Sequence, residues 1–307
     1  MNNVIFTTAK IFRNVKDYKF VSKLDAEKQE EITKKLQDIL SDFELVNLQN
    51  ITAENLKFLK ENFMFKQNLK TMFLNKEKNV CIYLFDTEHI TIVSTDQDNV
   101  ENAYKNVKQV AENLSNKISL SYSDEFGYLM SDLTHIGSGL KLESEICLSC
   151  VEEIGKIEQV KQNVKKLGYS LTETKNAHIY KLSSTCNLGV VEKEILTNYQ
   201  KMLNHLQEVE VESVKMLSVS NHDEILDKAM RSYAILNGAY LMTYAELNAH
   251  LINIITALNI DNLDIDIKAI KRLQKHSRDE NSEYISQSEL KNIANKVKQV
   301  LKGENDV

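Results

Sequence analysis

The stretch Phe126-Gly-Tyr-Leu-Met-Ser-Asp-Leu-Thr-His-Ile-Gly-Ser-Gly-Leu-Lys141 contains three of the eight glycines of a 307-residue chain. Two of them, Gly137 and Gly139, are separated by a single residue. Because glycine adopts positive φ angles more readily than other residues, this pair in a glycine-poor chain predicts an unusual backbone conformation. The stretch therefore predicts a loop whose shape depends on these glycines.

Hydrophobic patterns on either side of this stretch predict helices and strands. Apolar residues recur at three-to-four spacing over 24–43 and 100–114, which predicts two amphipathic helices. The β-rich runs 80–84 and 89–94, joined by turn residues, predict a hairpin. From about Asn221 onward the pattern is helical. The sequence thus predicts an α+β domain over residues 1–220 and an all-helical C-terminal domain over residues 221–307.

Charge and hydropathy exclude several classes of function. The chain has 38 basic and 44 acidic residues with the signs interspersed, so no basic stripe indicates nucleic-acid binding. No window approaches eighteen uninterrupted apolar residues, which predicts no membrane span. The first ten residues lack a signal pattern, so we expect a cytoplasmic protein.

The four cysteines are Cys81, Cys147, Cys150 and Cys186. In the cytoplasm we expect them to be reduced. Cys147 and Cys150 have CxxC spacing, but no second pair completes a zinc site, so the sequence predicts no metal centre and buried, inert thiols.

Three segments together resemble the guanidino kinases, which are ATP:guanido phosphotransferases. Val4-Ile-Phe-Thr-Thr-Ala-Lys-Ile-Phe-Arg-Asn14 is similar to their Ser-(Ser/Thr)-Arg-Ile-Arg-Leu-Ala-Arg-Asn motif, and Phe85-Asp-Thr-Glu-His-Ile-Thr-Ile92 to Asn-Glu-Glu-Asp-His-Leu-Arg-Ile. The glycine-containing stretch over residues 126–141 is similar to their Gly-Tyr-Leu-Thr-Ser-Cys-Pro-Thr-Asn-Leu-Gly-Thr-Gly-Leu-Arg motif. Arg231-Ser-Tyr-Ala-Ile-Leu236 resembles a segment of the bacterial protein-arginine kinases. The resemblance covers about residues 4–260 and implies an antiparallel sheet flanked by helices.

The resemblance implies phosphoryl transfer from ATP, with Mg²⁺, to a guanidinium nitrogen. In that family a ring of arginines binds the nucleotide phosphates bidentately, and carboxylates hold and deprotonate the guanidinium. The positions of those arginines fall on the following residues here: Thr8, Lys10, Lys70, Thr91 and Lys141. Lys10, Lys70 and Lys141 could keep a residual phosphate site, or they could be solvated surface lysines.

The catalytic positions implied by the resemblance have also changed. The family glutamate falls on Thr87, which leaves Asp86 and Glu88 as candidate carboxylates beside it, unless both are turn acids facing water. The reactive cysteine falls on Asp132. In the later loop, Glu173 is the remaining candidate carboxylate.

Two histidines and a C-terminal position need separate readings. His135, three residues after Asp132, could form an acid–base pair or metal site with it, although the spacing alone does not show one. His89 is read as a structural histidine. The phosphoarginine-reading pair that the resemblance places near the end of the C-terminal domain falls on Glu289 and Leu290.

Positions that shape the backbone in the family are kept in this sequence, whereas its charged site positions are replaced. Arg13, Asn14, Gly137 and Gly139 match the family. The sequence therefore predicts a degenerate kinase, a pseudokinase with a binding or regulatory role in stress response or proteolysis. An active, divergent protein-arginine kinase and a scaffold that binds no nucleotide stay open as alternatives, so ATP is expected only if any nucleotide is bound. The resemblance implies a protein partner, a Clp-type ATPase or an intact arginine-kinase system, and the apolar helices leave a homodimer open.

Overall fold

The computed structural model describes residues 3–63, 65, 69–97, 99–185, 188–261, 263–276 and 286–303. An eight-stranded sheet organises the described chain, with strand order β2-β3-β4-β5-β1-β8-β10-β9 and antiparallel pairing between all neighbours. A separate two-stranded ribbon is formed by β6 and β7. The strands are β1 (Val4–Arg13), β2 (Phe43–Asn47), β3 (Thr71–Asn75), β4 (Val80–Leu84), β5 (Ile90–Asp96), β6 (Tyr122–Ser123), β7 (Gly127–Tyr128), β8 (Leu140–Cys147), β9 (Tyr169–Glu173) and β10 (Ile179–Ser184). The antiparallel sheet predicted from the sequence is confirmed.

Helices pack on the sheet and continue beyond it. They are α1 (Ala26–Ile39), α2 (Ala53–Asn62), α3 (Val100–Lys117), α4 (Ser149–Glu153), α5 (Ile157–Lys166), α6 (Glu192–Gly238), α7 (Tyr244–Ile260), α8 (Ile267–His276) and α9 (Gln287–Leu301). The side chain of Thr52 caps α2 by accepting from the Asn55 N–H. The helix predicted over 100–114 lies within α3, which buries one face.

The central strand β1 separates two faces of the sheet. Ala9 and Ile11 point into the main core with residues of α1, α3 and α6. The alternate residues Thr8, Lys10 and Phe12 therefore point to the opposite face, because side chains alternate along a strand. The β2–β5 half of that opposite face is covered by α2 through a second hydrophobic cluster.

Two elements differ from the sequence expectation. The helix predicted over 24–43 ends at Ile39, and Phe43 instead begins β2. Helix α6 is kinked at Asn221, which has non-helical dihedrals (φ −135°, ψ 24°), and the kink lies where the sequence predicts that the C-terminal helical part begins.

The C-terminal helices have a core of their own and also contact the sheet region. Leu247 and Leu251 of α7 pack with α8 and α9. On another side of α7, Ile252 packs with Ile5 and Phe6 of β1. The Asn248 side chain donates to Oδ1 of Asn176 at 2.7 Å. The division into residues 1–220 and 221–307 stays a prediction.

The described cysteines Cys81, Cys147 and Cys150 are buried free thiols, as predicted, whereas Cys186 lies outside the described residues. Burial raises the pKa of Cys147 to about 12, so this thiol is unreactive. Over the described ranges, no helix combines the length and apolar character needed to cross a membrane.

Candidate functional site

The glycine stretch forms a loop against the end of β1. Gly127 and Gly137 pair closely, since the Tyr128 N–H donates to the Gly137 carbonyl at 2.9 Å and a Cβ on Gly127 would lie 2.7 Å from that oxygen. Gly139 has φ +65°, and a Cβ there would lie 2.7 Å from Nη1 of Arg13. The loop therefore requires glycine at these positions, as the sequence predicted.

Arg13 holds this loop rather than facing a ligand. Its guanidinium donates to the carbonyls of Phe12 (2.7 Å) and Ser138 (2.9 Å) and lies 3.6 Å from the centre of the Tyr128 ring. Burial lowers the pKa of Arg13, although Tyr128 and Glu192 oppose that shift. Only 3% of the residue is exposed, so its role here is structural.

Glu88, a predicted candidate carboxylate, is completely buried. It accepts hydrogen bonds from Nδ2 of Asn14 at 2.6 Å, from the Ser131 N–H at 2.9 Å and hydroxyl at 2.8 Å, and from the Asp132 N–H at 3.1 Å. These donors tie the glycine loop to the β4–β5 hairpin. The carboxylate is thus committed to protein contacts.

Both ring nitrogens of His89 are hydrogen-bonded to the backbone. The Val15 N–H donates to Nδ1 at 3.1 Å, so Nε2 carries the proton and donates to the Lys19 carbonyl at 2.8 Å. Burial lowers the pKa of His89, which favours this neutral form. The structural reading made from the sequence is confirmed.

Four charged side chains converge on the face of the sheet opposite the main core. Lys10 on β1 is paired in register with Lys141 on β8. Lys10 Nζ lies 2.7 Å from Oε2 of Glu143, and Lys141 Nζ lies 3.6 Å from Oε1. Lys181 on β10 approaches the same carboxylate at 3.9 Å. We call Lys10, Lys141, Lys181 and Glu143 the lysine–glutamate cluster.

The carboxylate of this cluster is deeply placed, with only 9% of its side chain exposed. Burial alone would raise the pKa of Glu143, but the three lysines, Lys10 foremost, outweigh it and lower that pKa to about 2. Glu143 is therefore ionised, and the cluster carries a net charge of +2. Sequence reasoning found Lys10 and Lys141 but missed Glu143 and Lys181. The alternation of Lys141 and Glu143 on one strand face is the signal that could have indicated them.

The other candidate residues lie elsewhere. Lys70 is exposed just before β3, three strands from β1, which is ~14 Å at the usual strand spacing. Asp86 and Thr87 are half-buried in the hairpin turn, where the Thr87 hydroxyl is 3.3 Å from Oδ2 of Asp86. Lys70 thus does not join Lys10 and Lys141 in the lysine–glutamate cluster.

Glu173 lies far from the hairpin turn. It pairs with Tyr180, which pairs with Ile146, which pairs with Val4 at the start of β1. The hairpin turn is level with Arg13 at the other end of that strand. Those ends are ~30 Å apart at the rise of a β-strand. The exposed Glu173 carboxylate instead contacts Lys161 at 2.6 Å.

His135 is buried against the C-terminal end of β1. Its ring stacks on Phe12 with centroids 3.9 Å apart and planes 9° apart. Nδ1 lies 3.9 Å from Oδ2 of Asp132, beyond hydrogen-bond distance, and has no hydrogen-bond partner among the described residues. Burial lowers the pKa of His135 despite Asp132. Among the described residues, no group of three or more His, Cys, Asp or Glu is arranged to hold a metal ion.

Comparison with known proteins identifies the class. The family model described as "ATP:guanido phosphotransferase, C-terminal catalytic domain" matches residues 18–213. The chain belongs to the ATP:guanido phosphotransferase family. Within it, the chain is homologous to bacterial protein-arginine kinases: it is 24% identical to that of Staphylococcus haemolyticus over 72% of this chain and 69% of the relative. The protein-arginine kinase of Clostridium perfringens is 28% identical over 77% and 76% of the two chains.

Solved structures share the fold. The substrate-free duplicated taurocyamine kinase of Schistosoma mansoni superposes with a TM-score of 0.62 and 20% identity over 72% of this chain. Our chain spans about a third, 34%, of that duplicated protein. Lombricine kinase superposes with a TM-score of 0.57 and 16% identity over 67% of each chain. At these identities the likeness establishes the fold.

Proposed function

We propose that this protein is a pseudokinase, a member of the ATP:guanido phosphotransferase family that has lost efficient phosphoryl transfer and acts by binding. One observation carries the proposal: Lys10 and Lys141, at positions where the resemblance places phosphate-binding arginines, contact the Glu143 carboxylate. A lysine offers a point charge without the bidentate fork of arginine. Here that charge is already directed at an internal carboxylate.

Two of the three candidate carboxylates support the same proposal. The threonine hydroxyl at position 87 cannot act as the base that a guanidinium requires. Glu88 is fully buried and hydrogen-bonded, and Glu173 lies at the opposite end of the sheet. Loss of one preorganised catalytic group commonly lowers a rate ~10²–10³-fold. The loss of a base together with phosphate-binding arginines should therefore leave little turnover.

A phosphoryl-transfer assay tests this proposal. The protein is incubated with labelled ATP, Mg²⁺ and an arginine-rich protein, and acid-labile phosphoarginine is measured. The protein-arginine kinase of Clostridium perfringens, assayed in parallel, is the positive control. We expect under 1% of its rate. Turnover in the range usual for kinases, ~1–100 s⁻¹, would overturn the proposal.

A divergent but active protein-arginine kinase is the second candidate. Similarity across nearly the whole chain favours it: the relative from Halothermothrix orenii is 22% identical over 88% of this chain and 83% of its own. In that case ATP with Mg²⁺ would be the phosphate donor. Phosphoarginine formation in the same assay, abolished by omitting Mg²⁺, would favour this candidate.

The proposed binding role assigns the C-terminal helices to protein association. Ile235 near the end of α6 and the following Tyr240 and Leu241 are exposed, by 40%, 67% and 39%. Exposed apolar groups of this kind are typical of interfaces. We expect light scattering to give the mass of a dimer that Ile235→Lys with Tyr240→Lys reduces to a monomer. Leu167→Lys, at another exposed leucine, is the control, and a monomeric parent protein would contradict self-association.

A further inference from the structure

The lysine–glutamate cluster resembles an anion-binding site in which the Glu143 carboxylate takes the place of the anion. Lys10 and Lys141 face each other across β1 and β8, and Lys181 comes from β10 on the other side of Glu143. All four side chains lie on one face of three adjacent strands, where diagonal neighbours are within reach of long side chains. Three ammonium groups therefore surround one carboxylate.

We propose that Glu143 is an internal anion that occupies the phosphate-binding position of this protein and keeps nucleotide and inorganic polyphosphates out. The inference rests on the pseudokinase proposal and names the residue that closes the site. The short contact of 2.7 Å between Lys10 Nζ and Oε2 of Glu143 gives the carboxylate a fixed place. An incoming phosphate would meet a negative charge at the point where the lysines converge.

The exposures of the four groups fit this assignment. The Glu143 side chain is 9% exposed, whereas Lys10, Lys141 and Lys181 are 17%, 29% and 35% exposed. The lysines thus keep contact with solvent from which an anion could approach, while the carboxylate fills the space between them. Removal of its charge takes away the carboxylate that the three ammonium groups share, and a phosphate from solution can replace it.

The test compares anion binding by the wild type and by Glu143→Gln. Inorganic pyrophosphate and ATP are titrated separately by calorimetry at low ionic strength. We expect Glu143→Gln to bind pyrophosphate at least tenfold more tightly than the wild type, and Lys10→Ala in that background to reverse the gain. If ATP gains as much as pyrophosphate, the site takes the phosphates of a nucleotide. If only pyrophosphate gains, something other than Glu143 excludes the nucleotide, and the part of the inference that concerns nucleotides is overturned.

A matched control separates a local effect from overall charge. Glu158→Gln removes the same charge from an exposed ion pair with Lys161 on α5. Equal affinities of the wild type and Glu143→Gln, or equal gains in Glu143→Gln and Glu158→Gln, would overturn the inference. Neither result bears on turnover, so phosphoryl transfer measured on the same samples tests the pseudokinase proposal separately.

A shorter carboxylate covers the case in which Glu143→Gln does not give a native circular dichroism spectrum. Glu143→Asp keeps the charge but withdraws it from Lys10 by one methylene. We expect at least threefold tighter pyrophosphate binding than in the wild type. Unchanged binding by this variant would contradict the inference.

Discussion

The side-chain amide of Asn14 donates to the carboxylate of Glu88 at 2.6 Å, across 74 residues of chain. The same carboxylate accepts from the backbone of Ser131 and Asp132. One side chain thus joins the end of β1, the β4–β5 hairpin and the glycine loop, which are the three segments that carry the family resemblance.

Glu88→Ala should destabilise the protein by about 3 kcal/mol, because buried N–H donors of the glycine loop lose their acceptor. Urea denaturation followed by circular dichroism measures the change. Glu125→Ala, at an exposed turn residue, is the control and should change the free energy of unfolding by under about 0.5 kcal/mol. A similar small effect at Glu88 would show that its contacts do not hold the loop.

Gly139→Ala should destabilise the fold more than Gly155→Ala. Both glycines have positive φ, +65° and +71°, so both substitutions strain the backbone. Only the Cβ at 139 meets Arg13 and Phe12, at 2.7 Å each, whereas nothing lies within 4 Å of the Cβ at 155. We expect about 1 kcal/mol for Gly155→Ala and at least about 2 kcal/mol more for Gly139→Ala. Thermal or urea unfolding of the two variants gives the difference, and equal losses would refute the clash.

The stability contributed by Glu143 should disappear in acid. Its pKa is lowered from 4.5 to about 2 in the folded protein. The contribution is therefore complete above the unfolded value and is lost as pH falls through the folded one. Relative to Glu143→Gln, the wild type should lose about 2 kcal/mol of unfolding free energy between about pH 5.5 and about pH 3. Urea titrations at several pH values measure the difference, and parallel curves would contradict the lowered pKa.

The pKa of His135 should depend on its stacking partner. Burial is the main cause of its lowered pKa, and Phe12 covers one face of the ring. Phe12→Ala should therefore raise the pKa towards 6.5 by admitting water. Asp132→Asn should lower it further, because it removes a negative charge that favours the imidazolium. NMR titration of the His135 ring protons measures both shifts, and movement of both in the same direction would reject this explanation.

The sequence predicts best those helices and strands whose apolar residues repeat at regular spacing within one segment. The α3 helix was predicted because Val100, Tyr104 and Val107 repeat at helical spacing and all are buried. The end of α1 was missed because Phe43 continues the apolar phase of the helix although the chain leaves it near Leu40. Only the pairing of β2 with β3, a contact between distant residues, shows that Phe43 belongs to a strand.

The site was predicted in part for the same reason. Gly137 and Gly139 predict the loop, because glycine adopts backbone conformations that other residues avoid. The partner of Lys10 depends on the register of β1 against β8, which places Glu143, 133 residues away, beside it. No local pattern contains a cross-strand register, so the resemblance identified the lysines without the carboxylate between them.

The long helix α6 has a consequence for how the protein unfolds. Its first half supplies Tyr199, Leu203 and Leu206 to the main core, and its end supplies Leu236 to the core of the C-terminal helices. The two halves of α6 meet at the kink at Asn221, so the unfolding of one core exposes the end of the helical segment that leads into the other. We therefore expect calorimetry to show one cooperative transition rather than two. Proteolytic cleavage at Asn221, where α6 is kinked, should separate the unfolding of the two cores.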